Sequence, residues 1–187
     1  MLDQARESYT VEVAGIKRDF PLFEVAPGVR IAIVNILGDT VLIEAVSEAL
    51  AAKLQSIDHD VIVTAEAKSI PLAFALASRL NKPWVVLRKF YKAYMGDALR
   101  TETMSITTGQ AQALILDQKD RPLLQGKHVV LVDDVISTGS TLQGMQLLVS
   151  HAGGQVVAQA AIFTEGDRAK WQDIIALGHL PVFDESA

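Results

Sequence analysis

A chain of 187 residues, half of them hydrophobic, can bury the core of one domain, and this composition excludes a disordered chain. Its net charge of −5 and pI near 5.3 lack the basic balance of a nucleic-acid binder, and without cysteine neither a disulfide framework nor a thiolate metal site can form. The first residues, MLDQARESYT, carry no apolar run of the signal-peptide kind, and no window approaches the roughly eighteen apolar residues of a membrane span, so a cytoplasmic protein is expected.

The first thirty-six residues read as β-structure. Tyr9 to Val13 alternates in polarity, Ala14-Gly15 is a turn signal, Phe20 to Val25 is a short strand interrupted early by Pro21, and Ile31 to Ile36 is a third run. At Asp39 the period changes: Ile43, Val46, Leu50 and Leu54 share one helical face, with Asp39 or Thr40 as the cap. Strands and helices then alternate. Val61 to Thr64 is a short buried strand, Pro71 to Leu80 a helix with proline near its start, and Trp84 to Leu87 the next strand. A long polar stretch, Lys92 to Gln112, precedes a strand at Ala113 to Leu116. Val129 to Val132 is the most apolar strand and Thr141 to His151 a helix ended by Gly153-Gly154. Val156 to Phe163 reads as a strand, Asp167 to Leu177 as a helix and Pro181 to Phe183 as a last short strand. Uniformly apolar strands alternating with helices predict an α/β fold, a mostly parallel central sheet with helices on both faces.

The densest chemistry lies in HVVLVDDVISTGSTL, residues 128 to 142. In open parallel sheets ligands bind beyond the carboxyl ends of the strands, where Asp133 and Asp134 stand. Ser137, Thr138, Gly139, Ser140 and Thr141 then lead into a helix N-terminus, whose free N–H groups and dipole favour an anion. A carboxylate accepts hydrogen bonds and suits a vicinal diol. Diol and phosphate at this spacing describe a ribose 5-phosphate. Neither a GxxxxGK[ST] loop nor a GxGxxG after a strand is present, which excludes those two nucleotide motifs.

The stretch VVLVDDVISTGST resembles the phosphoribosyl-pyrophosphate (PRPP) motif of the type I phosphoribosyltransferases, with four apolar residues, two acids and a Thr-Gly-x-Thr loop. The resemblance implies that Asp133 and Asp134 hold the ribose 2′- and 3′-hydroxyls and that Ser137 to Thr141 hold the 5-phosphate. It implies a single domain over 1–187, with a small N-terminal β-rich hood (1–38) over the base and a core (39–187). The loop AEAKSIP is similar to the pyrophosphate loop of purine enzymes, which gives Glu66, Ala67, Lys68 and Ser69 that role, with Lys68 where adenine enzymes usually carry arginine. Arg88-Lys89 matches a basic pair that reaches pyrophosphate in the same or a neighbouring subunit.

The stretch Tyr94 to Gln112 fits the family's lid, which closes to exclude water from an oxocarbenium-like sugar. Adenine enzymes typically carry Ser-x-Glu-Tyr-Gly there; this chain reads Ser105-Ile106-Thr107-Thr108-Gly109, so the carboxylate near the base has no counterpart, and Glu102 is the nearest substitute. For the base, Phe23 and Ile36 of the hood, with Phe20, are candidate covers, and Val135-Ile136 a candidate floor. The four histidines are scattered, and Trp84 and Trp171 are expected in the core.

Taken with the resemblance, these residues predict a purine phosphoribosyltransferase, adenine favoured, with Lys68, Arg88, Asp133 and Asp134 as the catalytic set. Mg²⁺ is expected on PRPP through substrate oxygens and water, with no direct protein ligand. A homodimer with no nucleic-acid or membrane partner completes the expectation. A xanthine or guanine enzyme, or a PRPP-binding regulator without turnover, are the alternatives.

Overall fold

The computed structural model describes residues 7–104 and 111–184; Ser105 to Gly109, and with them Thr107 and Thr108, lie outside the described residues. The fold begins with three antiparallel strands, β1 (Ser8–Val13), β2 (Ile16–Ala26) and β3 (Val29–Ala32). Ala14 and Gly15 both have positive φ and make the two-residue turn between β1 and β2. Pro21 does not interrupt β2. It pairs with Ser8 at the end of the β1 ladder, and from Leu22 onward β2 pairs with β3 instead.

Helix α1 (Thr40–Leu54) is capped by the Asp39 carboxylate, which accepts from the Leu42 N–H at 3.1 Å. Leu42, Ile43, Val46, Leu50 and Leu54 form its buried face. The same Asp39 accepts two hydrogen bonds from Arg18 at 2.6 and 2.9 Å, tying β2 to the start of α1. There follow β4 (Val61–Ala65), α2 (Ile70–Leu80) and β5 (Trp84–Leu87); Pro71 occupies the first turn of α2, and Asn81 in the left-handed region ends it.

The polar stretch after β5 is more structured than its composition suggests. It holds a 3₁₀ turn at Ala93–Met95 and strand β6 (Leu99–Met104), which pairs antiparallel with β7 (Ala111–Leu116). The strand expected at Ala113 to Leu116 therefore belongs to a separate ribbon and not to the central sheet, which it touches through one bridge, Arg88 to Ile115. Then come β8 (His128–Ile136), α3 (Ser140–His151) and β9 (Gln155–Glu165).

A helix is absent at Asp167 to Leu177. Asp167 caps a 3₁₀ turn at Arg168–Trp171, and Ile175–Leu180 forms β10, parallel to β9. Trp171, Ile174 and Ile175 have helical spacing, but the apolar run from Ile174 to Leu177 finds more burial as an edge of the sheet. Gly178 allows this, because a Cβ there would stand 2.9 Å from the Phe163 ring. A last strand, β11 (Phe183–Asp184), pairs with β3, so the C-terminal end of the described chain completes the N-terminal sheet.

The central sheet runs β10-β9-β8-β4-β5, all parallel. One face packs on α1, α2 and the antiparallel sheet; the other packs on α3 and the β6–β7 ribbon. β8 is the middle strand, buried from Val129 to Val132, so its carboxyl end opens where ligands bind in such sheets. Among the described residues no helix is long and apolar enough to cross a membrane.

Candidate active site

Two strand ends and the loops after them build the site. The apolar part of β8 ends at Val132, yet the strand pairs with β9 through Ile136, so Asp133 and Asp134 are held by sheet hydrogen bonding and not by a loop. β4 lies on the other side of β8, tied to it by the buried Thr64 hydroxyl, which donates to the Val132 carbonyl at 2.8 Å. This register brings the loop after β4 against the two acids.

Ser69 is buried at the N-cap of α2, but its hydroxyl does not cap the helix. It lies 3.1 Å from both the Ala65 carbonyl and Asp133 Oδ1, and its one proton serves one of them at a time. Asp133 Oδ1 also accepts the Asp134 N–H at 2.9 Å. Burial, and then the charge of Asp134, push the Asp133 carboxyl up to about 8. Asp134 is nearly fully buried, and its Oδ2 accepts no well-aligned hydrogen bond among the described residues. Its compensation is charge: Lys68 Nζ lies 3.0 Å away and donates also to the Val34 carbonyl at 2.8 Å. Lys68 thus joins the loop after β4, the acid pair and the segment after β3.

Glu66 and Arg88 form an ion pair that joins the ends of β4 and β5. The Glu66 carboxylate beside the guanidinium raises Arg88 above its ordinary value. The Glu66–Ala67 peptide is cis, and Ala67 is exposed. Lys89 points to solvent beside exposed Phe90.

Beyond the acids, Ser137 and Thr138 are exposed and Gly139, Ser140 and Thr141 half-buried. Gly139, with φ of +80°, turns the chain from β8 into α3, a conformation that favours glycine. The hydroxyls of Thr138 and Ser140 lie 3.1 Å apart at the mouth of the helix N-terminus. The loop after β4 thus meets the acid pair, and the hydroxyl-bearing turn follows directly at the end of β8.

The expected base contacts separate. Ile36 is fully buried in the core and presents no surface to a ligand, and Ile136 is sealed on the α3 side of the sheet. Val135 is half-buried on the opposite side, facing the N-terminal sheet, and Phe23 is 58% exposed at its surface. Phe20 packs edge-on to Phe163 in the core. The side chain of Glu102 lies outside the described residues.

Two residues were missed. Glu165 closes β9 as a buried carboxylate, raised by burial and partly countered by Lys68. Trp171 packs against the core as expected, but it also places its ring edge against Gly139, which the sequence did not indicate. The signal for Glu165 was available: an acid, then Gly166, at the end of an apolar strand, as on β8.

The chain belongs to the phosphoribosyl transferase domain family, whose pattern matches residues 35–178. It is 32% identical to the adenine phosphoribosyltransferase of Thermosipho africanus over 76% of this chain and 81% of that one. It is 30% identical to the purine biosynthesis transcriptional repressor PurR of Bacillus subtilis over 71% of this chain and 46% of that one. This match and those to two transcriptional activators span about half the length of those relatives. The crystal structure of adenine phosphoribosyltransferase from Thermoanaerobacter pseudethanolicus superposes with a TM-score of 0.65 at 25% identity, covering 92% of this chain and 95% of that one.

Proposed function

We propose that this chain is a purine phosphoribosyltransferase of the cytoplasm, converting PRPP and a purine base, adenine favoured, to the nucleoside 5′-monophosphate and pyrophosphate. The observation that carries the reading is the meeting of Asp133 and Asp134 with Lys68 and Ser69 one strand away, beside a hydroxyl-lined loop at a helix N-terminus. The acids accept the ribose hydroxyls. The N–H groups and hydroxyls of residues 137 to 141 hold the 5-phosphate. Lys68 and Arg88 bring positive charge to the departing pyrophosphate, so the leaving-group charge is met by fixed cations as the C1′ bond lengthens. Lys68 is already inside the site, and moves from Asp134 to the diphosphate as the ribose hydroxyls take over the carboxylate.

Among the described residues no group of three or more acids and histidines could hold a metal, and the two acids are occupied by Lys68 and Ser69. That donor set fits Mg²⁺ held by substrate oxygens and water, near Asp133 and Asp134, where it would neutralise diphosphate charge.

The homodimer rests on an exposed aromatic group beyond the edge strand β5, namely Phe90, Tyr91 and Tyr94, flanked by Lys89. Such a patch suits a partner surface and carries the basic pair with it.

Adenine is favoured by the similarity to the Thermosipho enzyme along most of both chains. The xanthine or guanine alternative rests on Thr107-Thr108, which supply no carboxylate. Similarity to PurR favours a second reading, a PRPP-sensing protein without turnover. Incubation with Mg²⁺, PRPP and each of adenine, guanine, hypoxanthine and xanthine separates these. AMP and pyrophosphate from adenine support the reading, and another purine nucleotide moves the acceptor. PRPP binding without product from any base establishes the sensor.

A further inference from the structure

The phosphate loop has little internal support. Among the described residues its backbone-to-side-chain bond, from the Ser140 N–H to Thr138 Oγ1, is long at 3.4 Å, and the Thr138 end of the Thr138–Ser140 hydroxyl contact is exposed. Gly139, at the centre, contributes no side chain to hold it in place. What stands against it is Trp171. A Cβ built on Gly139 would lie 2.9 Å from Trp171 Cη2 and 3.3 Å from Cζ3, so the benzo edge of the indole occupies the space a side chain would need.

Trp171 is itself fixed. Its Nε1–H donates to the Glu165 carbonyl at 2.9 Å, at the end of β9. Its backbone ends the 3₁₀ turn, begun where the Asp167 carboxylate accepts the Ala169 N–H at 3.0 Å. The Trp171 carbonyl accepts from the Ile174 N–H at 3.1 Å, leading directly into β10. The ring also packs against the core cluster that contains Leu142 of α3 and Ile136 of β8. A rigid indole, anchored at its pyrrole N–H, therefore connects the edge of the sheet to the turn that cradles the phosphate.

We propose that Trp171 is a positioning residue for the 5-phosphate: it holds the Gly139 turn in the open-mouthed conformation that presents the N–H groups of residues 138 to 141 to the anion. The inference rests on the reading of that loop as a phosphate site. Preorganisation of a binding loop is worth about a factor of ten or more when a flexible backbone must otherwise be ordered by its ligand. A ring that merely filled core volume would affect stability and leave ligand affinity intact in the folded protein.

The test uses the full chain and ribose 5-phosphate. Trp171→Ala is expected to raise the Kd for ribose 5-phosphate, measured by calorimetry on folded protein, about tenfold. It should raise the KM for PRPP similarly and leave the KM for the base within twofold. Trp171→Phe keeps an aromatic ring in the core but withdraws the outer benzo carbons from Gly139 along with the Nε1 anchor, and should raise the Kd for ribose 5-phosphate in the same direction as Trp171→Ala. The chain has two tryptophans, so Trp84→Phe leaves Trp171 as the sole tryptophan, and its fluorescence, excited selectively over tyrosine, should change on titration with ribose 5-phosphate. If Trp171→Ala does not fold, this spectroscopic arm and Trp171→Phe carry the test. Unchanged emission under saturating ligand, or unchanged affinity in folded Trp171→Ala, overturns the inference and leaves the phosphate site standing. No calorimetric binding of ribose 5-phosphate to the unmutated chain overturns both.

Discussion

Lys68 Nζ lies 3.0 Å from Asp134 Oδ2, the lysine from the loop after β4 and the acid from the end of β8, its parallel neighbour. The carboxylate is buried and the ammonium 45% exposed, so the pair is lopsided. Removing the lysine leaves a buried acid without compensation, whereas removing the acid leaves a lysine that water can solvate. Lys68→Ala should therefore cost about 1–3 kcal/mol of stability at neutral pH, and Asp134→Asn markedly less. Urea denaturation of the two variants checks the order. Lys68→Ala should also weaken pyrophosphate binding about tenfold or more, because a charge-assisted contact is lost.

Asp133 gives the free protein a pH dependence. Its carboxyl is raised from 3.8 to about 8 by burial and by Asp134, so the folded state holds a proton that the unfolded state has released. Stability linked to this group is fully present below the unfolded value and is lost as pH rises from about 4 to 8. Glu165, raised by burial, acts in the same direction. Melting curves across that range should show Asp133→Asn with a flatter pH profile than the unmutated chain.

The Arg18–Asp39 pair works with the opposite sign. The Arg18 guanidinium holds the Asp39 carboxyl below its ordinary value, so its contribution is present above the unfolded value and lost as pH falls through the lower folded one. Since Asp39 also caps α1, Asp39→Ala removes a cap worth about 1 kcal/mol together with the link to β2. It should lower the melting temperature at pH 7 by several degrees and narrow its difference from the unmutated chain below pH 4.

The Glu66–Arg88 pair sets the ends of β4 and β5 before any ligand arrives. Arg88→Ala is expected to lower kcat/KM for PRPP about a hundredfold, through lost leaving-group charge and a loosened pyrophosphate loop. Arg88→Lys should recover little, because an ammonium lacks the planar fork. Steady-state kinetics with PRPP varied decides this.

The layout at the end of β8 was legible because local sequence dictates it. VVLVDDVISTGST contains its strand, its acids and its turn glycine in one run, and nothing distant has to be known. The AEAKSIP loop was legible for the same reason, although the contact of Lys68 with Asp134 depends on strand order, which no local pattern carries. Residues 167 to 177 misled because helical spacing and edge-strand apolarity coincide there, and tertiary burial decided between them. The ribbon of β6 and β7 was hidden by the polar Thr-Glu-Thr of its outer strand. Ile36 misled because an apolar residue near a site reads the same whether it lines a pocket or seals the core. Trp171 and Gly139 stand thirty-two positions apart in sequence, and the parallel pairing of β9 beside β8 makes them neighbours.

Calorimetric titration of PRPP with Mg²⁺ into the unmutated chain and into Asp133→Asn/Asp134→Asn tests the central claim most directly. The account predicts saturable binding to the first, and loss of at least a hundredfold in affinity in the second while its circular dichroism spectrum stays that of a folded protein. Undiminished PRPP binding by the folded double variant would contradict the account, because the acids at the end of β8 would then not be the groups that hold the sugar.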